Sequence, residues 1–173
     1  MAFRAQGLSL IELLITIAVF ALIVSLATPG LGTLVERNRV VTSANGLVAH
    51  LNYARQEAVM RGEFVSACPS FDQQTCSRDN QWDQGFIVFR DPDRRGQPSG
   101  DEAILRVVGP EPRLSMVSGG RTRVRFQPSG AAYGTNLTIR VCDQQARMTG
   151  RAVVVSNPGR VRVADLPDTE ACT

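Results

Sequence analysis

Two arginines near the carboxyl end of the sequence have the type and spacing to bind anions. Arg160 and Arg162 are separated by one residue, so on a β-strand both side chains project from the same face. The sequence Asn157-Pro158-Gly159 before them forms a turn that exposes the start of this strand. Guanidinium groups match the geometry of phosphate. The pair could therefore bind successive phosphates, with Arg147 and Arg151 as candidates to extend the patch.

The charge of the surrounding sequence also suggests an anionic partner. The chain has 173 residues, with 19 basic residues, all arginine, 16 acidic residues and a net charge of +3. Between Gly120 and Val163 there are eight arginines and one aspartate, a local balance of +7 that leaves −4 for the rest. The alternative is that arginine only solvates the outer face of a sheet. No aromatic residue lies in Gly159–Arg162, so backbone contacts are expected rather than base stacking.

Catalytic and metal sites have few candidates. His50 is the only histidine, so any Ser-His-Asp or Cys-His mechanism would depend on it, and a histidine-rich zinc site is excluded. The stretch Asp91–Glu102 resembles a calcium loop, but Arg95 occupies a position that needs a ligand. We predict a hairpin loop there, and we expect no enzyme activity, metal or cofactor.

The N-terminus carries a separate signal. Residues 1–7 hold one positive charge, and an apolar run follows from Leu8 to Ala27 with Glu12 inside it. About 20 residues rising ~1.5 Å each match the ~30 Å core of a bilayer, which predicts a transmembrane helix over residues 8–28. An acid within such a span costs about 2.5–3.5 kcal/mol, so Glu12 requires a partner.

The motif Gly7-Leu8-Ser9-Leu10-Ile11-Glu12 resembles the processing site of type IV prepilins and type II secretion pseudopilins. The resemblance implies that residues 1–7 are a leader removed by the prepilin peptidase and that Leu8, which replaces the usual Phe, is methylated. It also implies that Glu12 is the assembly carboxylate, which neutralises the new N-terminal amine of a neighbouring subunit. The chain would then cross the bacterial inner membrane once, with its domain in the periplasm, and assemble with other major and minor pilins into a surface pilus.

Residues 29–61 predict an amphipathic helix. Apolar residues recur there mostly at intervals of three and four: Leu31, Leu34, Val35, Val41, Ala44, Leu47, Val48, Leu51, Ala54 and Ala58. Arg61 falls in the last turn, and Gly62 is the expected C-cap. His50 belongs to this helix and is expected at its polar boundary.

Residues 62–173 predict a β-rich globular domain. Seven segments read as strands: Glu63–Cys68, Gly85–Arg90, Ala103–Val108, Thr122–Gln127, Leu137–Cys142, Ala152–Ser156 and Arg160–Val163. Asp91–Asp101 and Gly109–Gly120 read as loops. Alternation places an apolar face towards the helix and carries arginine into water on the other. The predicted fold is α+β and pilin-like, with a long N-terminal helix, half in the membrane and half amphipathic, packed on antiparallel sheet.

Further segments resemble minor pilins and pseudopilins of the FimT/FimU/GspH type. The similarity is carried by Leu51–Ala58 and Val65–Ser70, and more loosely by Trp82–Phe89 and Val124–Gly130. It implies a low-abundance subunit at the pilus tip or priming complex that supports pilus biogenesis. Gly159-Arg160-Val161-Arg162 also resembles the DNA-contacting motif of FimT-type pilins in natural transformation, which implies double-stranded DNA as a partner. A type II secretion pseudopilin with protein partners only is the alternative.

The four cysteines fit an exported domain. Cys68, Cys76, Cys142 and Cys172 allow three pairings, and the sequence alone does not choose among them. Disulfides are the default in an oxidising periplasm. We favour Cys68–Cys76, which closes a polar loop, and Cys142–Cys172, which pins the C-terminal tail.

Overall fold

A computed structural model describes residues 9–145, 149–166 and 172 of the chain. The predicted cleavage site at Gly7 and Leu8, and the candidate Arg147, lie outside these residues. The chain divides into two compact units, Met1–Asn38 and Arg39–Thr173. One α-helix, α1, spans Leu10–Arg61 and contributes residues to both units.

In the first unit, α1 exposes its large apolar side chains. Between Leu10 and Val24 these side chains are 42–78% exposed. The helix begins after Ser9, whose hydroxyl accepts the Ile11 N–H at 3.3 Å as an N-cap. Within the described part of the chain, no helix combines the length and apolar character needed to cross a membrane. The span over residues 8–28 therefore stays a prediction.

In the second unit, α1 buries one stripe of side chains. Its members recur at intervals of four and three and are at most 2% exposed: Val40, Ala44, Leu47, Leu51, Ala54 and Ala58. Val40 therefore takes the place predicted for Val41, which is half-buried, and the predicted stripe residues Leu34 and Val35 are each 54% exposed. The helix ends at Arg61, and Gly62 follows with a φ of 66°, the left-handed conformation of a C-cap glycine.

The described residues of the second unit form eight β-strands in two antiparallel sheets. Sheet A has the order β3-β2-β1-β5 and sheet B the order β4-β6-β7-β8. The strands are β1 Val65–Pro69, β2 Phe86–Arg90, β3 Ile104–Val108, β4 Leu114–Ser118, β5 Val124–Phe126, β6 Leu137–Asp143, β7 Arg151–Val155 and β8 Val161–Asp165. The α1 stripe and apolar side chains of both sheets form one core. The predicted α+β fold, with antiparallel pairing, is confirmed.

The strand β4 corrects the sequence analysis, which assigned Gly109–Gly120 to a loop. Leu114, Met116 and Ser118 face inward and are buried, and β4 pairs with β6 along its whole length. The third inward position is a serine, which breaks the apolar alternation. Its hydroxyl accepts a hydrogen bond from Trp82 Nε1 at 3.1 Å. This tertiary contact is not visible in the sequence pattern.

The position of Arg125 is a second correction, since its side chain was expected to point into water. Its Nε donates to Asp91 Oδ2 at 2.8 Å, and Asp91 is 2% exposed. Asp91 also accepts from the Ser66 hydroxyl at 2.8 Å and the Gly96 N–H at 2.9 Å. A buried carboxylate must be paired and hydrogen-bonded, and these donors satisfy both oxygens. Asp91, the first residue of the calcium-like stretch, thus anchors that loop to the fold.

Candidate functional site

Arg162 lies in β8, and Arg160 directly precedes this strand, in the hairpin that β8 forms with β7. The chain reverses through a three-residue loop, in which the Ser156 N–H donates to the Arg160 carbonyl at 3.0 Å. The Gly159 N–H donates to the Ser156 carbonyl at 2.8 Å, and Gly159 has a φ of 80°. Three-residue hairpin loops use glycine in this conformation at their last position. Both arginine side chains are exposed, so the hairpin presents two guanidinium groups to solvent.

The hairpin loop packs against residues 130–132 of the domain. A Cβ added to Gly159 would lie 1.8 Å from the Gly130 carbonyl oxygen, so the two backbones touch. The Ala132 N–H donates to the Asn157 carbonyl at 2.8 Å. Arg55 of α1 donates from Nε to the Gly130 carbonyl at 3.0 Å. The loop that carries Arg160 is thus held by the 130–132 segment and, through it, by the helix.

Strand register places Arg162 on the outer face of sheet B. Arg162 pairs with Val154 of β7, and Val154 pairs with Thr138 of β6. Directly paired residues of antiparallel strands share a face. The adjacent rows, which include Val153, are buried against the helix. The outer face, named here by its row Thr138–Val154–Arg162, therefore points away from the core.

The same register removes Arg151 from the predicted patch. Arg151 pairs with Asp165 and alternates with Val153, so it belongs to the inner face, opposite to Arg162. Its guanidinium also forms an ion pair with Asp165. Proximity in the sequence suggested one patch, but side-chain alternation along β7 and β8 separates these arginines.

Arg140 is a site residue that the sequence analysis did not single out. It alternates with the buried Ile139 and Val141, so it projects from the outer face of β6. Together with Thr138, Val154, Ser156 and Asn157, it lines a groove of about 650 Å³. The alternation Leu137-x-Ile139-x-Val141 could have indicated its face, but the pairing with β7 was needed to place it near the hairpin.

Two disulfides stabilise the second unit. They are Cys68–Cys76 and Cys142–Cys172, the two pairs favoured among three alternatives. Within the first loop, Asp72 accepts hydrogen bonds from the Thr75 hydroxyl at 2.6 Å and the Thr75 N–H at 2.8 Å. These bonds, with weaker ones from Gln74 and Ser70, hold the pKa of Asp72 well below its ordinary value. An ionised Asp72 therefore orders the loop that the disulfide closes.

His50 has a packing role. Arg106 donates from one terminal nitrogen to His50 Nδ1 at 3.3 Å, and the ring lies edge-on to Phe86 at 5.6 Å. Burial, and to a smaller extent the charge of Arg106, lowers the pKa of His50. Arg106 also stacks over the Tyr53 ring at 3.9 Å. The imidazole thus joins the helix to sheet A.

Glu12 lies in the first turn of α1 and is exposed. Its neighbours Ile11 and Leu13 are 62% and 51% exposed, so a carboxylate stands in an apolar helical surface. Such a surface can bury itself against other helices, and the carboxylate can then accept a positively charged group from a neighbour.

Comparisons with known proteins agree with this architecture. Residues 43–159 match the family model of the type II transport protein GspH, and residues 3–28 match the prokaryotic N-terminal methylation motif. No curated protein matches the chain.

Three solved structures are similar to this one. Two are crystal forms of the type IV minor pilin FimU of Pseudomonas aeruginosa PAO1, with 25% and 26% identity and TM-scores of 0.55 and 0.56. They cover 75% and 79% of this chain and 94% of each FimU chain. The minor pseudopilin EpsH of the Vibrio cholerae type 2 secretion system has 12% identity and a TM-score of 0.53, with 73% of this chain and 97% of that chain covered.

The GspH match covers more than half of the sequence, and the methylation motif covers its N-terminus. The fold, with a long helix and two antiparallel sheets, is that of the pilin-like neighbours. The protein therefore belongs to the GspH family and is a minor type IV pilin or pseudopilin of the GspH/FimU type, a structural subunit and not an enzyme.

Proposed function

We propose that this protein is a minor type IV pilin of the pilus tip or priming complex that binds double-stranded DNA through Arg160 and Arg162 and supports natural transformation. The observation that carries the DNA role is the hairpin itself. It presents two exposed guanidinium groups, two residues apart, on a loop whose backbone is fixed against Gly130. Exposed arginines on a fixed backbone, in a segment Gly159–Arg162 that holds no aromatic residue, suit contacts to phosphates rather than to bases.

A place in a pilus is favoured over a place in a secretion system. Identity to the minor pilin FimU is 25–26%, against 12% to the pseudopilin EpsH. The alternative, a type II secretion pseudopilin with protein partners only, does not require a basic hairpin. The genes beside this one would separate the two, since pilus and secretion subunits are each encoded with their own partners.

The DNA-binding proposal predicts weak, salt-dependent binding without sequence preference. Two to four phosphate contacts give a slope of log affinity against log salt of roughly −2 to −4, with micromolar affinity at best for one subunit. Arg160→Ala with Arg162→Ala should reduce the magnitude of this slope by about two. Fluorescence anisotropy of a labelled duplex, titrated with the detergent-solubilised full chain at several salt concentrations, measures it.

A charge-matched control is available on other loops of the domain. Arg78 and Arg95 are exposed and line a separate pocket near the Cys68–Cys76 disulfide. Their double alanine variant removes the same charge and should leave the slope nearly unchanged. If both double variants lose binding equally, or if the wild-type chain shows no salt-dependent binding, the DNA role is rejected and the protein is a purely structural pilin.

The proposed anchor in the inner membrane predicts proteolytic processing. The prepilin peptidase would cleave after Gly7, which has no side chain to obstruct it, and the new amine of Leu8 would be methylated. Replacing Gly7 by a bulky residue such as Leu should leave an uncut precursor that is seven residues longer and still membrane-bound. Intact-mass measurement of the membrane form distinguishes these species. A mature wild-type chain that begins anywhere other than Leu8 would contradict the proposal.

A further inference from the structure

We infer that Arg140 is a third phosphate-binding residue, and that the nucleic acid backbone crosses the outer face of sheet B from the β7–β8 hairpin into the groove beside Arg140. This inference rests on the proposed DNA-binding function and extends it from a two-residue motif to a continuous surface. It concerns a residue outside the Gly-Arg-x-Arg sequence.

The register brings Arg140 to the right face. Arg162 stands in the row Thr138–Val154–Arg162, and Arg140 stands in the next outward row, opposite Ala152 of β7. Two strand spacings separate Arg140 from Arg162, roughly 10 Å across the sheet. Val154 lies between Thr138 and Arg162, is only half-buried and has a short side chain, so two long arginines can reach past it towards the same ligand. Ala152 is 4% exposed and packs with Cys142 and Leu166, so the path of the ligand runs over the row of Val154.

The groove that Arg140 lines supplies further donors of the kind that bind phosphates. Its lining includes Thr138, Ser156 and Asn157, and it has a volume of about 650 Å³. The Ser156 hydroxyl already donates to the Arg160 carbonyl at 3.2 Å, so the side-chain donors offered to a ligand are those of Thr138 and Asn157. Hydroxyl and amide groups beside arginine are common phosphate contacts, whereas base stacking needs aromatic rings, and none lines the groove. Ser156 and Asn157 also belong to the hairpin that holds Arg160, so the groove begins beside the motif, although Arg160 and Arg162 do not line it.

Arg140 differs from Arg125 and Arg151 of the basic segment in having no acidic partner among the described residues. Arg125 and Arg151 are neutralised by Asp91 and Asp165. In contrast, Arg140, Arg160 and Arg162 form no ion pair with any acidic residue that the structure describes. The outward positions of β4, β6, β7 and β8 contain no acid either. Arg121 and Arg123 also form no ion pair with a described acid, but neither belongs to a strand of sheet B. On the described outer face of sheet B, the unpaired cations are therefore Arg140 and Arg162, with Arg160 directly before β8.

The test compares single variants of the full chain in detergent by the same duplex titration. Arg140→Ala should reduce the magnitude of the salt slope by about one and weaken binding several-fold, equally for unrelated duplex sequences. Arg140→Lys, which keeps a point charge, should retain most of the slope. Arg78→Ala removes one charge from a loop outside sheet B and its β7–β8 hairpin, so it should leave the slope of log affinity against log salt unchanged. A thermal melt of each variant checks that the fold is intact.

The possible outcomes distinguish a failure of the Arg140 role from a failure of the DNA-binding function. A wild-type slope of about zero rejects DNA binding altogether. A wild-type slope that falls with Arg160→Ala/Arg162→Ala but not with Arg140→Ala retains the motif and overturns the role of Arg140. An Arg140→Ala effect that Arg140→Lys fails to restore while both variants melt below the wild type would also overturn it, because the residue would then act on the fold.

Discussion

Replacing Gly159 by alanine is expected to destabilise the second unit by about 3 kcal/mol, which corresponds to roughly 10 °C in Tm. Two effects add. A side chain is strained at the φ of 80° that Gly159 adopts. The new Cβ would also lie 1.8 Å from the Gly130 carbonyl oxygen, a backbone atom that cannot move aside without moving the 130–132 segment. Thermal unfolding followed by circular dichroism measures the change.

Gly120→Ala separates the two effects. Gly120 has a φ of 74°, close to that of Gly159, but a Cβ there would meet nothing within 4 Å. Its substitution should therefore cost only the conformational strain, about 1–2 kcal/mol. Equal melting temperatures for the two variants would show that the contact with Gly130 does not contribute to the free energy of unfolding. A larger loss of stability at Gly159 would show that packing against Gly130 requires the glycine of the Gly-Arg-x-Arg motif, independently of any contact to DNA.

Sequence patterns predicted the fold where local periodicity and burial agree. The α1 stripe repeats at three and four, and strands such as β6 alternate buried and partly exposed residues, so both could be predicted from apolar spacing alone. The strand β4 could not, because one of its inward positions is Ser118, a polar residue whose hydroxyl accepts a hydrogen bond from Trp82, 36 residues away, and donates to the nearby Arg121 carbonyl.

The sequence predicted the common face of Arg160 and Arg162, which are close in the chain, but not the faces of arginines on other strands. The spacing of Arg160 and Arg162 fixes their common face, because they lie on consecutive outward positions of the same hairpin arm. Arg151 and Arg140 lie on other strands, so their faces relative to Arg162 depend on pairing register. The prediction that Arg125 points into water was wrong for a related reason. Its partner Asp91 is 34 residues away, and a buried ion pair leaves no periodic signal in the sequence.

The exposed apolar surface of α1 gives Glu12 its proposed importance. In a filament, this surface would be buried among helices of other subunits, and an unpaired carboxylate there would cost about 2.5–3.5 kcal/mol. The amine at Leu8 of a neighbouring subunit, created by cleavage after Gly7, would remove that cost by pairing with it. Glu12 would then select subunits that are both processed and in register.

Glu12→Leu is accordingly expected to abolish incorporation into filaments while leaving membrane insertion intact or slightly improved, because a charge is removed from an apolar segment. Glu12→Gln keeps the shape of the side chain without its charge and should fail in the same way, whereas Glu12→Asp keeps the charge and should retain part of the incorporation. Quantitative immunoblotting of sheared pili and of the membrane fraction measures both steps. Normal incorporation of Glu12→Gln would show that the carboxylate is dispensable. Loss of the variant from the membrane fraction would place the defect in insertion and contradict the assembly role.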